Sequence, residues 1–484
     1  MTLVHWIEWS WVAHLAVGMV ASLHAIRIKR EASSALLWLF IIWSFPFVGA
    51  AIYAVYGVDR ISAKAALRET AASAFRTHRA AHGPPPAASR GLLTDPWAQS
   101  LERALNIVLP DLPSVEGNRI QLFVTGDEAY PPMRAAIAAA QHHIHLQTFI
   151  LANDSIGRDW MDLLVQKARE GVQVRVLYDR FGSTPAVLTG FIHRYRRAAP
   201  RLRIAGWSLA NPWRRQVQVN LRNHRKILVV DGHVAFTGGM NVTEINVTRP
   251  GRPADRDFHF EVHGPIVREL QFSFLDDWHF MAGEPAESLL APAYFPELPP
   301  CGSARVRLVP GAPTGDGETL PDILFTLLTM ARRQILLVSP YFVPTLDILR
   351  AMRSAALRGL DVRLLVPKEN NHVYAGWAGR AYYGPLLQAG AHVVERHPPF
   401  LHAKALIIDD TVALVGTANM DSRSLRLNYE TNLLVMDHDF LGRLKEAVLA
   451  EFQCGDELSW STWVRRPHWH MWLERTAALL SPTL

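Results

Sequence analysis

A short polar motif occurs twice in this chain of 484 residues, in the same order and with the same spacing. Each copy reads His-x-Lys, four residues, Asp, six residues, and then Gly, a small residue, any residue and Asn. The first copy consists of His224, Lys226, Asp231, Gly238, Gly239 and Asn241. The second copy consists of His402, Lys404, Asp409, Gly416, Thr417 and Asn419. A single copy could arise by chance on a half-buried strand, but two copies in register indicate shared chemistry.

The pattern around the motif is duplicated as well. The apolar segment 334–341 parallels 143–150, and a segment that starts at Gly359 parallels the one that starts at Gly171. In the first copy the pattern predicts strands over residues 144–151 and 172–178, separated by a helix. Two copies of strand–helix–strand alternation predict a duplicated α/β layer fold rather than a solenoid.

The residue types in the motif suit a phosphodiester. A histidine supplies a nucleophile or a proton donor near neutral pH, while lysine and asparagine neutralise and hydrogen-bond the non-bridging oxygens. With two copies, one histidine can attack phosphorus while the other protonates the leaving alcohol. We therefore predict a covalent two-step reaction at His224 and His402, supported by Lys226 and Lys404, that needs no metal or other cofactor.

The remaining motif positions predict strand structure. The apolar runs 227–230 and 405–408 follow the two lysines and are expected to be buried strands. Asp231 and Asp409 end these runs. They are assigned to the catalytic set, although they could instead hold the strand end and the turn.

The amino-terminal end carries two apolar segments. Residues 35–56 contain no charged side chain, and as a helix they would extend roughly 33 Å, enough to cross a hydrocarbon core. Pro46 would kink this helix, which membrane helices tolerate. Residues 10–26 are apolar but shorter. We predict two retained transmembrane helices rather than a cleaved signal peptide, because no basic segment precedes the first one. Basic residues flank the second segment on both sides, so the orientation stays open.

The charge of the chain allows an anionic partner. A formal net charge of +6 and a pI of about 9.4 do not separate a nucleic acid from an anionic membrane surface. Cys301 and Cys454 lie far apart, which argues against a disulfide framework or a cysteine zinc site. Tryptophans near the carboxyl end, among them Trp469 and Trp472, alternate with basic residues and fit either a core or a membrane-surface contact.

The twin motifs resemble the HKD signature of the phospholipase D superfamily, and the wider chain resembles bacterial cardiolipin synthases. The second resemblance is carried by the apolar amino terminus, by the stretches 130–133, 340–344, 400–404 and 416–424, and by Asn428 and Glu430. It implies two phospholipase D-like α-β-α sandwich domains packed by pseudo-two-fold symmetry, preceded by two transmembrane helices. The implied division is a transmembrane hairpin over 1–60, a linker over 61–110, and domains over 111–285 and 300–484.

The resemblance also implies an activity. A phosphatidyl group would pass from one phosphatidylglycerol to another, with release of glycerol, through a phosphatidyl-histidine for which His224 is the expected nucleophile. Glu430 would orient His402, and Asp257 would orient His224. The phosphate would be bound by Asn241, Asn419 and Thr417, the last of which stands where family members usually carry serine. The protein would be a multi-pass protein of the bacterial cytoplasmic membrane that binds phosphatidylglycerol and other anionic lipid, and no nucleic acid.

Three other classes of function stay open at this level. A phospholipase D-type hydrolase would use the same phospho-histidine with water as the acceptor, so the motifs do not separate hydrolysis from transfer. A nucleic-acid phosphodiesterase fits the basic pI but leaves the apolar amino terminus unexplained. A non-catalytic membrane scaffold would not need two intact histidine–lysine pairs.

Overall fold

The computed structural model describes residues 3–29, 32–45, 47–57, 73–82, 95–207, 210–211, 216–217, 221–313 and 318–479. The chain separates into two compact units, Met1–Thr70 and Ala71–Leu484.

The first unit contains apolar helices. They are α1 (Leu3–Ile28), α2 (Ala32–Ser44) and α3 (Val48–Ile52), and a π-helical turn follows over Tyr53–Gly57. The side chains of Trp43 and Ser22 hydrogen-bond across the first two helices at 3.0 Å, so α1 and α2 pack as a hairpin.

Only part of the predicted transmembrane pair is confirmed. Among the described residues, Trp9–Ile28 is the one helical stretch long and apolar enough to cross a membrane. The second predicted span is divided between α2, which has 13 residues, and the short helices that follow it. Pro46, the predicted kink, lies outside the described residues.

The second unit is built on a mixed sheet whose strands fall into two similar sets. The first set is β1 (Val115–Phe123), β2 (His143–Thr148), β3 (Gln173–Asp179), β4 (Leu202–Trp207), β5 (Ala210–Asn211), β6 (Gln216–Val217), β7 (Ile227–Val230), β8 (Val234–Gly238) and β9 (His259–His263). The second set is β10 (Ala304–Gly311), β11 (Gln334–Val338), β12 (Phe342–Val343), β13 (Asp361–Pro367), β14 (His392–Arg396), β15 (Ala405–Ile408), β16 (Val412–Gly416), β17 (Met420–Asp421), β18 (Glu430–Met436) and β19 (Gly455–Leu458).

The strand order shows the duplication directly. Within the described residues a sheet of 15 strands runs β19-β14-β13-β11-β15-β16-β18-β10-β1-β9-β8-β7-β2-β3-β4. Apart from the edge strand β19, the order outward from the β1–β10 pair is the same on both sides. Strands β2–β4 are parallel to one another, as are β11, β13 and β14, whereas β1 and β10 pair antiparallel. The two halves are thus related by a pseudo-two-fold axis at the β1–β10 seam.

Helices cover the sheet. In chain order they are α4 (Ser73–His82), α5 (Pro96–Val108), α6 (Gly126–Ala139), α7 (Ser155–Arg169), α8 (Thr184–Leu188), α9 (Phe191–Tyr195), α10 (Val267–Ala282), α11 (Ala286–Leu289), α12 (Thr319–Met330), α13 (Leu346–Leu357), α14 (Val373–Arg380), α15 (Tyr383–Gln388), α16 (Ser422–Arg426), α17 (His438–Phe452), α18 (Trp460–Trp463) and α19 (His468–Ala478).

The apolar patterning accounts for the core. Strands β7 and β15, which are the runs predicted after the two lysines, are buried at every position. One apolar cluster crosses the seam and joins residues of both halves, among them Ile120, Phe260, Val306 and Leu433. The predicted α/β architecture with two equivalent halves is confirmed, and burial on both faces of these strands explains their continuous apolar runs.

Candidate active site

The two motif histidines lie at the seam between the halves. The backbone N–H of His224 donates to the carbonyl of Tyr429 at 2.9 Å, and the backbone N–H of His402 donates to the carbonyl of Arg256 at 2.6 Å. The residue before each histidine also forms a parallel β-bridge to the opposite half, Asn223 with Tyr429 and Leu401 with Arg256. Each motif is therefore held by backbone from the opposite half.

Each histidine also contacts a carboxylate from the opposite half. The Nδ1 atom of His224 lies 2.9 Å from Oε2 of Glu430, and Nδ1 of His402 lies 2.7 Å from Oδ2 of Asp257. Both carboxylates are fully buried. The predicted pairs were the reverse and are wrong. The pairs cross because each carboxylate directly follows the residue whose carbonyl holds the other half's histidine.

These contacts set the tautomers of the histidines. Burial would raise the pKa of Glu430, but His224 and Lys226 outweigh it and hold that pKa below its ordinary value. Burial would likewise raise the pKa of Asp257, but Lys404 and His402 outweigh this effect and lower that pKa. Both carboxylates are therefore anionic, and each accepts a hydrogen bond from the Nδ1–H group of the histidine that it contacts. Each histidine therefore turns Nε2 toward the site.

Burial favours the neutral form of both histidines. Burial lowers the pKa of His224 despite the opposing charge of Glu430. Burial, together with the charge of Lys404, lowers the pKa of His402 to about 4, despite Asp257. A neutral imidazole has the free electron pair that a nucleophile requires.

The two lysines place a cationic pair in the same site. Burial lowers the pKa of Lys226 to about 7 and that of Lys404 to about 8. The charge of Lys404 lowers the pKa of His224, and that of Lys226 lowers the pKa of His402, so each lysine lies near the histidine of the other motif. Each lysine Nζ also donates to the carbonyl of its own motif's histidine. An anion bound between these lysines would favour their charged forms.

The two predicted asparagines flank the site in different ways. Oδ1 of Asn241 accepts the backbone N–H of Ile150 at 3.0 Å, which leaves its Nδ2 as the group that can contact a ligand. Nδ2 of Asn419 lies 3.4 Å from Oγ of Ser424, and its Oδ1 is buried without a hydrogen-bond partner among the described residues.

The third predicted phosphate ligand, Thr417, has another partner. Its hydroxyl donates to Oε2 of Glu430 at 2.5 Å and accepts the backbone N–H of Thr431 at 2.9 Å. The hydroxyl therefore supports the carboxylate that contacts His224, and a phosphate contact from Thr417 stays a prediction. The first motif has Gly239 at the matching position, where a Cβ would lie 2.0 Å from Oδ1 of Asp257.

The motif aspartates stand away from the histidines. Asp231 accepts the backbone N–H groups of residues 141–143, and Asp409 accepts those of residues 332–334, at 2.7–2.8 Å. Both have a left-handed backbone, with φ of 52° and 53°. A whole buried strand separates each of them from its histidine. These contacts support the structural alternative for both residues, and a catalytic role for either stays a prediction.

Two further site residues were not predicted. The carboxylate of Asp179 accepts the backbone N–H of Phe181, Gly182 and Asn223, the residue before His224. The ring of Phe149 lies edge-on to His224, with 5.0 Å between centroids. The signal for both was their place at the carboxyl end of a parallel strand, where open α/β sheets bind ligands: Asp179 is the last residue of β3, and Phe149 directly follows β2. Among the described residues, no group of three or more His, Cys, Asp or Glu could hold a metal ion.

Family comparisons match this architecture. A family model described as "Cardiolipin synthase, PLD-like domain" matches residues 133–278 and 324–452, one match for each half of the sheet. A second model, described as phospholipase D-nuclease N-terminal, matches residues 16–57.

Individual proteins match over nearly the whole length. A cardiolipin synthase of Geobacillus kaustophilus is 34% identical over 476 residues, which cover 97% of this chain and 91% of the relative. Cardiolipin synthase A of Pseudomonas putida is 32% identical over 484 residues, with coverage of 98% and 97%. A solved phosphatidylserine synthase of Haemophilus influenzae superposes with a TM-score of 0.62 at 16% identity, covering 80% of this chain and all of that one, so it supports the fold.

Proposed function

Because the chain belongs to the family of cardiolipin synthases with phospholipase D-like domains, we propose that its two-histidine site transfers a phosphatidyl group from one phosphatidylglycerol to another and releases glycerol. The observation that carries this proposal is the convergence of His224 and His402, each with a buried carboxylate, at one seam. In the proposed domain division, residues 111–285 and 300–484 supply one motif each.

In the first half-reaction, Nε2 of His224 attacks the phosphorus of the donor lipid. A P–N bond forms, the bond from phosphorus to the glycerol oxygen breaks, and His402 gives that oxygen its proton. In this assignment His402 carries the proton, and the negative charge of the bound phosphodiester favours its protonated form. Glu430 stabilises the positive charge on the phosphorylated imidazole ring.

In the second half-reaction, a glycerol hydroxyl of the acceptor phosphatidylglycerol attacks the same phosphorus. His402, now neutral, removes the proton of that hydroxyl. A P–O bond forms to the acceptor and the P–N bond to His224 breaks. Cardiolipin leaves, and both histidines return to their starting protonation states.

The other polar groups of the site act on the phosphoryl oxygens. Lys226 and Lys404 neutralise the charge that develops there, and Nδ2 of Asn241 can donate to a non-bridging oxygen. Asn419 has the matching position in the second motif. These groups are buried, which strengthens their electrostatic interaction with the phosphate relative to water.

We also propose a membrane location for this activity. The helix Trp9–Ile28 and the apolar helices after it would anchor the chain as a multi-pass protein of the bacterial cytoplasmic membrane. The match of residues 16–57 to a phospholipase D-type amino-terminal model supports this proposal. Phosphatidylglycerol would then be reached in the bilayer.

The test is a product assay. Full-length protein, purified and supplied with phosphatidylglycerol vesicles, is expected to yield cardiolipin and free glycerol in equal amounts. Recovery of phosphatidic acid without cardiolipin would assign the hydrolase activity instead. Cleavage of DNA or RNA without any lipid product would assign the phosphodiesterase.

A further inference from the structure

Two arginines from opposite halves of the sheet lie beside the histidine seam. The carbonyl of Arg222 accepts the backbone N–H of Tyr429, and the carbonyl of Arg423 accepts that of Asn428, both at 2.9 Å. Because Asn428 and Tyr429 are consecutive, one short segment holds both arginine backbones. The next residue is Glu430, the carboxylate that contacts the first histidine. The arginine pair is therefore built into the same frame as the catalytic histidine.

The pair forms a half-buried centre of positive charge. Burial and the charge of Arg423 lower the pKa of Arg222 to about 10. Nε of Arg222 has no hydrogen-bond partner within the described part of the chain, and its guanidinium lies over the ring of Phe181 at 3.1 Å from the centroid. Two nearby carboxylates offset part of this charge, Asp179, which also accepts three backbone N–H groups, and Asp421. Like charges in partly dehydrated surroundings are costly, and a bound anion lowers this cost further.

The position of the pair is offset from the reacting phosphorus. Arg222 stands two residues before His224, and the residue between them, Asn223, is in a β-bridge, so this segment is extended. Residues two apart on an extended chain point to the same side, about 7 Å from each other. The guanidinium of Arg222 thus faces the same side as the attacking imidazole, without occupying the place between the two histidines.

The rim of this region is open and aromatic. Phe181 is 58% exposed and Tyr374 is 50% exposed. Tyr374 raises the pKa of both Arg222 and Arg423, so its phenol lies near both guanidinium groups. A lipid headgroup can therefore enter from outside and meet the two guanidinium groups, which bind phosphate oxygens in bidentate fashion.

We infer that Arg222 and Arg423 bind the phosphate of the acceptor phosphatidylglycerol while its glycerol hydroxyl reaches the phosphatidyl-histidine. This inference rests on the proposed function. In the acceptor, a three-carbon unit joins the phosphate to the attacking hydroxyl, which suits an anion subsite one strand repeat from the reacting phosphorus. Water has no phosphate for the pair to bind, so the subsite favours transfer over hydrolysis, a choice that the histidine motifs themselves leave open.

The test lets two acceptors compete for one covalent intermediate. Full-length protein is incubated with micelles of phosphatidylglycerol and detergent that also contain 1-butanol, and the ratio of cardiolipin to phosphatidylbutanol is measured. Both products draw on the same phosphatidyl-histidine, so the ratio does not depend on how much of a variant is folded. In Arg222→Gln and Arg423→Gln the ratio is expected to fall about 10- to 100-fold, because a charged hydrogen bond to the lipid acceptor is lost.

The matched control is Arg426→Gln. Arg426 lies on the same helix, α16, and pairs with Glu318 at 3.4 Å, so the wild-type ratio is expected. An unchanged ratio in both test variants, even with both products reduced, would overturn the inference and assign the arginines to the donor or to the fold. If a Gln variant makes neither product, the Lys variant at the same position replaces it. A smaller fall in the ratio of cardiolipin to phosphatidylbutanol is then expected, and a wild-type ratio would again overturn the inference.

The same assay separates this inference from the function on which it rests. If wild-type protein makes phosphatidic acid and no cardiolipin, the proposed function fails. If wild-type protein makes cardiolipin and the arginine variants keep its product ratio, only the subsite fails.

Discussion

The crossed histidine–carboxylate pairs make a prediction that the uncrossed pairs do not. Glu430→Gln removes the anion that lies 2.9 Å from Nδ1 of His224, and Asp257→Asn removes the one 2.7 Å from Nδ1 of His402. A buried hydrogen bond to a charged group contributes about 1.5–3 kcal/mol. The corresponding loss in rate is about 10- to 150-fold, at 1.36 kcal/mol per factor of ten.

The assay sorts the variants by the step that they impair. A donor whose leaving group is p-nitrophenol needs no general acid, so its release reports the attack of the nucleophilic histidine alone. The His402→Ala and Asp257→Asn variants are expected to release p-nitrophenol from this donor much faster than they release glycerol from phosphatidylglycerol. His224→Ala and Glu430→Gln are expected to stay slow, because the attacking ring or its counter-charge is missing.

The decisive result is which carboxylate variant behaves like which histidine variant. Grouping of Glu430→Gln with His224→Ala supports the crossed geometry, whichever of the two histidines is the nucleophile. Grouping of Glu430→Gln with His402→Ala would refute it and restore the uncrossed pairs. Thermal unfolding of each variant serves as the control for loss of fold.

Four further outcomes are expected. Above pH 7–8 the decline of kcat/KM with pH should steepen, because the lysines lose their charge as pH rises past pKa values of about 7 for Lys226 and about 8 for Lys404, in addition to the loss of the His402 proton; a slope that does not change up to pH 9 would contradict their role with phosphate. Asp231→Ala leaves three backbone N–H groups unbonded, so thermal unfolding should show a loss of about 1–3 kcal/mol while the folded fraction keeps its activity. An inactive but fully stable variant would return this aspartate to the catalytic set. Thr417→Val should lower kcat about 10-fold through the lost bond to Glu430, with little change in KM. Cardiolipin formation should survive EDTA, and loss restored by one divalent ion would overturn the metal-free reaction.

Much of the local structure could be predicted from the sequence, since local patterning determines it. The runs 227–230 and 405–408 are apolar throughout and form strands with those bounds, buried on both faces. The duplicated pattern predicted two equivalent halves, and the strand order bears this out. The amino-terminal helices were predicted less well, because an apolar run indicates hydrophobic surroundings but not where a helix is interrupted. Helix α2 ends at Ser44 and α3 begins at Val48, on either side of the position where a proline was expected to bend one continuous helix.

The identity of the reacting residues was contained in the sequence, whereas their pairing was not. Residue types and spacing alone marked His224 and His402 as a phosphodiester site. Which carboxylate contacts which histidine depends on backbone bridges across the β1–β10 seam, which pair His224 with a residue 206 positions away and His402 with one 145 positions away. The same bridges bring Arg222 and Arg423 together from opposite halves. No periodicity along the chain encodes such contacts, because they arise only when the two halves of the sheet meet.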